Sequence, residues 1–245
     1  MQDALDPQRW DAVAVPLPGS PGGASGPATI GHAVRTVVEV LEGLPCPAVL
    51  VGHSMGAQVT LLAHGLMPDL VQSEVVIDAA YAGDPASRSQ MARWAAAIER
   101  DGLPRVSKFF ALATRGMPPD AARRVLADVN ETTPAVIASY LRSEYVDPDA
   151  IGLSPATQGA ARSRRKPVLS LHSTHDSMRR EASLVTPPGS ASNLWDGHGH
   201  YLHLEDPTRF ARVLLDWRRM HGGTPRGDIG HRVAPLGRAQ SPAPR

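Results

Sequence analysis

Residues 52–56 read Gly-His-Ser-Met-Gly, with a glycine two positions to either side of a serine. The apolar run Ala48-Val-Leu-Val51 stands just before them, and a stretch bearing Val59, Leu62 and Ala63 at helical spacing follows. A serine at a strand-to-helix turn is the arrangement of a nucleophile elbow. The glycines at 52 and 56 let strand and helix approach, and Ser54 falls at a helix N-terminus, where backbone N–H groups favour a developing negative charge. The plainer alternative is a glycine-rich turn with an idle serine.

A serine hydroxyl is a weak nucleophile until a base takes its proton, so a histidine and an orienting acid are required. The chain has ten histidines. His32 and His64 fall on helices, and His221 and His231 in the C-terminal tail. The segment Gly197-His-Gly-His-Tyr-Leu-His203 differs, because it forms a loop between the last strand and the closing helix. His200 is the first choice of base, His198 the second and His203 the third. For the acid, Asp176 lies just beyond the strand Val168-Leu-Ser-Leu171, and Asp78 just beyond Val75-Val-Ile77 is its rival. Either aspartate could instead cap a turn. His198, His200 and His203 superficially resemble a zinc motif, but Leu202 stands where an aspartate is needed, so no metal and no cofactor is expected.

These groups need elements to hold them. Ala12-Val-Ala-Val15 reads as a buried parallel strand, and residues 29–42 as a helix with Ile30, Val34, Val37 and Leu41 on one face. The strand at 48–51, the elbow, its helix and the strand at 75–77 follow. From about residue 85 helix succeeds helix: Met91, Trp94, Ala95 and Ile98 share one face; Val106, Phe109, Phe110 and Ala113 the next; then Val125 with Leu126; then Val136, Ile137, Tyr140 and Leu141. Strand character returns at 168–171 and weakly at 192–195. Asp206-Pro207 opens a last helix through Phe210, Val213, Leu214 and Trp217. The expected fold class is α/β: a mostly parallel sheet flanked by helices, with residues 1–79 and 167–220 as core, 80–166 as an inserted helical cap, and 221–245 as a disordered tail.

Composition narrows the function. The 245 residues are 42% hydrophobic but only 4% aromatic, so the core rests on Ala, Val and Leu. The formal net charge is +1, and residues 221–245 alone carry four Arg against one Asp, which leaves the rest slightly acidic. That balance argues against a nucleic-acid partner, and Arg162-Ser-Arg-Arg-Lys166 reads as a solvated loop before a strand. The lone Cys46 rules out an internal disulfide framework. No apolar run is long enough for a membrane span and the acidic start lacks a signal-like stretch, so a soluble, cytoplasmic protein acting on a small molecule is expected. Neither dinucleotide nor Walker-type glycine motifs occur.

Gly52-His-Ser-Met-Gly56, Pro167-Val-Leu-Ser-Leu-His-Ser-Thr-His-Asp176 and Gly197-His-Gly-His200-Tyr-Leu-His-Leu-Glu-Asp-Pro207 resemble, in order and spacing, the nucleophile, acid and histidine segments of the α/β-hydrolase fold superfamily. The resemblance covers roughly residues 10–220, and it implies a triad of Ser54, Asp176 and His200, with the Met55 N–H as one oxyanion donor. It also implies a hydrolase acting on an ester, thioester or activated carbonyl through an acyl-enzyme. Trp10 and Ala12-Val-Ala-Val-Pro-Leu-Pro-Gly19 resemble the family stretch before the nucleophile strand, although Leu17 replaces its usual aspartate. Family members carry an earlier strand, lying between those assigned to 12–15 and 48–51, whose His-Gly loop gives the second oxyanion N–H. No such turn occurs here. A missing donor costs about 2.7–4 kcal/mol, so the chain reads either as an N-terminally shortened hydrolase or as a non-catalytic binding protein on the same fold.

Overall fold

The computed structural model describes residues 5–221. Four parallel strands, β1 (Ala48–His53), β2 (Val71–Ile77), β3 (Val168–His172) and β4 (Ala191–Leu194), pair in chain order. The crossovers are helical. The first is α2 (Met55–Leu66), which follows α1 (Ile30–Glu42) and β1. Between β2 and β3 lie α3 (Arg88–Asp101), α4 (Pro104–Ala113), α5 (Pro119–Glu131), α6 (Pro134–Tyr145) and α7 (Ala156–Ala161). The chain continues through α8 (His175–Ala182), α9 (Leu202–Glu205) and α10 (Pro207–His221). No helix among the described residues is long and apolar enough to cross a membrane.

Alternation along the strands decides which helix meets which face. Val75, Ile77, Leu169 and Leu171 point to one side, where they pack with Phe210, Leu214 and Trp217 of α10, and Val49 and Val51 join them. Leu50 points to the other side, against Val34, Val37 and Leu41 of α1 and Val59 and Ala63 of α2. Val76 and Val168 share that second face with Ala57 and Leu61. The capping chemistry agrees with these bounds. Thr29 Oγ1 accepts from the His32 N–H at 3.3 Å to open α1, and Asp206 Oδ1 accepts from the Arg209 N–H at 2.9 Å to open α10.

The expected first strand does not form. Residues 12–14 are exposed, with Val13 at 56%, and no strand contains any of residues 12–15. A strand needs a neighbour to take its N–H and C=O groups, and among the described strands β1 pairs with β2 alone. Val15 and Leu17 still pack on the α1–α2 cluster, and Tyr140 of α6 donates its hydroxyl to the Pro18 carbonyl at 2.8 Å.

The run at 162–166 also differs from a purely solvated loop. Arg164 is buried, and its guanidinium reaches Glu74 Oε2 of β2 at 3.0 Å, Glu181 Oε1 of α8 at 2.9 Å and the Tyr81 hydroxyl at 2.9 Å. Thr60 donates to Glu74 Oε1 at 2.8 Å, and His64 Nδ1 lies 3.0 Å from Glu74 Oε2. The Arg165 and Lys166 N–H groups donate to His64 Nε2, so its proton sits on Nδ1 and goes to Glu74. Burial opposes the charge on Glu74, yet Arg164 and His64 hold its carboxyl below the usual range. Breaking such a buried network by removing one partner is strongly destabilising. The tail beyond residue 221 lies outside the described residues, whereas His221 closes α10 with its ring 4.0 Å from that of Trp217.

Candidate active site

The site gathers where the strands end. In the sheet register His53 pairs with Ile77 and Ile77 with Leu171, so the residues that follow stand side by side. The ladder runs one step further: the Ser54 N–H donates to the Ile77 carbonyl at 2.9 Å and the Asp78 N–H to the Leu171 carbonyl at 2.8 Å. This carboxyl edge of a parallel sheet is where α/β proteins assemble their sites.

Ser54 has φ 53° and ψ −118°, a strained conformation for a residue with a side chain, at the joint between β1 and α2. Its hydroxyl makes no cap bond to α2, and Met55 begins the helix behind it. The two flanking glycines are not equivalent. A Cβ on Gly52 would meet the Gly56 carbonyl oxygen at 2.5 Å and Thr60 Oγ1 at 2.6 Å, whereas one on Gly56 would meet nothing within 4 Å. Only Gly52 is required by the close approach of strand and helix.

Of the three candidate histidines the structure brings His200 to this edge, and its acid neighbour is Asp78. His200 Nδ1 lies 2.7 Å from Asp78 Oδ2. A carboxylate only accepts, so Nδ1 carries the proton and Nε2 presents its lone pair. Ser173 completes the carboxylate's shell, its N–H on Oδ1 at 3.1 Å and its hydroxyl on Oδ2 at 2.8 Å. Burial pushes the Asp78 carboxyl up, but the His200 and Ser173 hydrogen bonds outweigh it and bring it down to about 2. Asp78 has φ 43°, so strain is concentrated at both strand ends.

Asp176, expected as the acid, stands elsewhere. It lies in the first turn of α8, its side chain 70% exposed and paired with Arg179. Thr174 caps that helix by accepting the Ser177 N–H at 3.1 Å, so the strand-end sequence turns into a helix before Asp176 is reached. Asp176 there complements the helix dipole. His198 is set against Trp195, and His203 is buried beside Phe210. The rings of His200 and His203 both lie beside that of His53, at 4.6 and 4.7 Å.

One neighbour escaped sequence reasoning, and a second, Phe109, reads from its pattern as readily as core as pocket lining, as do Trp94, Phe110 and Tyr140. His53, inside the elbow motif itself, stacks its ring 4.6 Å from that of His200, and its Nε2–H donates to the His200 carbonyl at 2.9 Å. Burial holds the His53 ring neutral, well below the usual range. Phe109 of α4, 45% exposed, presents its ring edge 6.4 Å from His200 and packs on Trp94. By contrast Tyr140 is core, while Phe110 and Trp94 pack on the α3–α6 cluster.

A parallel sheet with helices on both faces, a strained serine at a strand-to-helix joint and an Asp–His pair at the same edge define an α/β protein of the nucleophile-elbow type. A sequence model of the alpha/beta hydrolase family matches residues 2–213, and the chain belongs to that family. Among solved structures it is similar to a thermophilic esterase from Thermogutta terrifontis (20% identity, 84% of this chain and 78% of that one, TM-score 0.67). It is similar also to MenH from S. aureus (17% identity, 84% and 82%, TM-score 0.69) and to a bromoperoxidase from Bacillus anthracis (14% identity, 82% and 79%, TM-score 0.65). At these identities the likeness establishes the fold. No curated protein matches the sequence.

Proposed function

We propose that this hydrolase uses Ser54 as nucleophile, His200 as general base and Asp78 as the orienting acid, and cleaves small esters, thioesters or similarly activated carbonyl compounds. The observation that carries the reading is the 2.7 Å Asp78–His200 contact on the same sheet edge as a serine held at φ 53°. Ser54 Oγ attacks the carbonyl carbon as its proton passes to His200 Nε2. The resulting oxyanion faces the Met55 N–H at the start of α2, where the helix dipole favours negative charge. His200 returns the proton to the leaving alcohol or thiol, and water, deprotonated by the same nitrogen, releases the acid from Ser54. Asp78 keeps Nδ1 protonated throughout and stabilises the imidazolium. None of these steps calls for a cofactor.

A fluorophosphonate probe tests the reading directly. Covalent labelling of the wild type and its loss in Ser54→Ala are expected. A second reading, a binding protein on this fold, is favoured by residues 12–15 lying in no strand, with Met55 as the one oxyanion donor assigned. A folded wild type that the probe does not label would favour that reading.

A further inference from the structure

Behind the elbow lies a buried polar cluster that the chemistry above does not use. Gln58 of α2, fully buried, donates from Nε2 to the Ala80 carbonyl at 2.7 Å and to Glu144 Oε2 at 3.0 Å. Tyr145 donates its hydroxyl to the same Ala80 carbonyl at 2.8 Å. Glu144 and Tyr145 end α6, so one side of the cluster belongs to the helical insert and the other to the nucleophile helix. The Ala80 N–H in turn donates to the Ser54 carbonyl at 3.2 Å, and Ala80 follows Asp78 by two residues. The Ser54 carbonyl is thereby held both by the Ala57 N–H at 3.0 Å and by Ala80.

We propose that Glu144 is a positioning residue for the nucleophile: with Gln58 and Tyr145 it fixes the Ala80 peptide, and that peptide fixes the strained Ser54 carbonyl and the segment bearing Asp78. Burying a carboxyl, a glutamine and a phenol together is expensive unless they are bonded, and here Gln58 donates to Glu144 while Gln58 and Tyr145 meet on one backbone carbonyl. Burial raises the Glu144 carboxyl to about 8, so at neutral pH it is a neutral group with a proton to donate as well as lone pairs to accept. A glutamine has the same size and the same double capacity. An alanine leaves Gln58 with an unmatched donor and loosens the Ala80 peptide. A mutation far from the chemistry that displaces a reacting group by about 1 Å lowers rates by as much as about 100-fold.

This inference rests on the Ser54–His200–Asp78 reading, and the test separates the two. Sites competent for fluorophosphonate labelling are counted in each variant, and kcat per labelled site and KM are measured on a chromogenic ester. E144A is expected to lower kcat per site by roughly 10- to 100-fold with KM within about 2-fold, and E144Q to recover kcat to within about 3-fold of wild type. Y145F, which removes one of the two donors to Ala80, is expected to fall between them. Unchanged kcat per site in E144A, a change confined to KM, or E144Q as damaging as E144A would overturn the proposal. If E144A does not fold, Y145F decides, and an unchanged kcat per site there overturns it. A wild type that takes no label refutes the triad reading instead, and this inference with it.

Discussion

Replacing Asp78 by asparagine tests the acid assignment most sharply, because the carboxylate's surroundings dictate how the amide must sit. Oδ1 accepts from the Ser173 N–H, which cannot rotate, so the amide oxygen of the new side chain must take that place. Its NH2 then faces Ser173 Oγ, which can turn to accept, and His200 Nδ1, which must also accept. His200 is thereby driven into the tautomer with its proton on Nε2, where no lone pair remains to receive the Ser54 proton. Enforcing the wrong tautomer in such a triad lowers kcat by about 10⁴-fold, or about 5 kcal/mol of transition-state stabilisation. The interaction acts on the transition state, so kcat and kcat/KM should fall together. Asp176→Asn removes only an exposed ion pair with Arg179, worth about 0–1 kcal/mol, and should leave kcat within about 2-fold. Steady-state hydrolysis of a chromogenic short-chain ester by both variants decides the matter. Severe loss in Asp176→Asn with near-normal activity in Asp78→Asn would refute the assignment.

Stability should fall early in acid. Burial lowers His172 to about 4 and His203 to about 3, below the 6.5 of an unfolded histidine. A group depressed in the fold contributes fully above its unfolded value and loses that contribution as pH falls toward its folded value, so the window opens below pH 6.5. By pH 5 each costs about 2 kcal/mol, which predicts a Tm lower than at pH 7 by roughly 8–16 °C for a chain of this size; a flat Tm across that range would contradict the burial of these rings. Asp78 adds a second phase, because its carboxyl at about 2 stabilises the fold above pH 3.8 and ceases to do so as pH drops through about 2. At the elbow, Gly52→Ala should abolish folding or activity because its Cβ meets backbone at 2.5 Å, while Gly56→Ala, with open space at that position, should express and label normally with the probe. Equal tolerance of both would contradict the close strand–helix approach.

Much of this was legible in residue order. The elbow, the helix over 30–42, the last helix and its Asp206 cap each announce themselves through local pattern, and the structure places them within a residue or two. Which aspartate meets His200 was not settled by residue order, because Asp78 and Asp176 both follow an apolar strand and only the sheet register says which one stands beside the histidine loop. A local signal did exist. Asp78 follows Ile77 with no residue between, whereas Thr174 and Ser177 form a cap around Asp176 and commit it to a helix. Residues 12–15 have strand composition but lie in no strand, and pairing is not written in composition. Arg164 and Glu144 were hidden for a related reason: their partners lie 90 and 86 residues away.

The Arg164 network has a consequence for chain entropy. The chain leaves the sheet after Ile77 and re-enters it at Val168, and Arg164, just before re-entry, is bonded to Glu74 in the strand it left. Both ends of that long excursion are therefore clamped by groups that belong to the sheet and its flanking helices. For a loop with fixed ends the closure penalty grows only logarithmically, about 0.6 kcal/mol for each doubling in length. By closure entropy alone, adding residues to the connections among α3, α4 and α5 is therefore inexpensive, provided the buried contacts of Ala95 and Ile98 with Ala138 and Leu141 of α6 are kept. The length of the insert is in this sense uncoupled from the closure of the sheet.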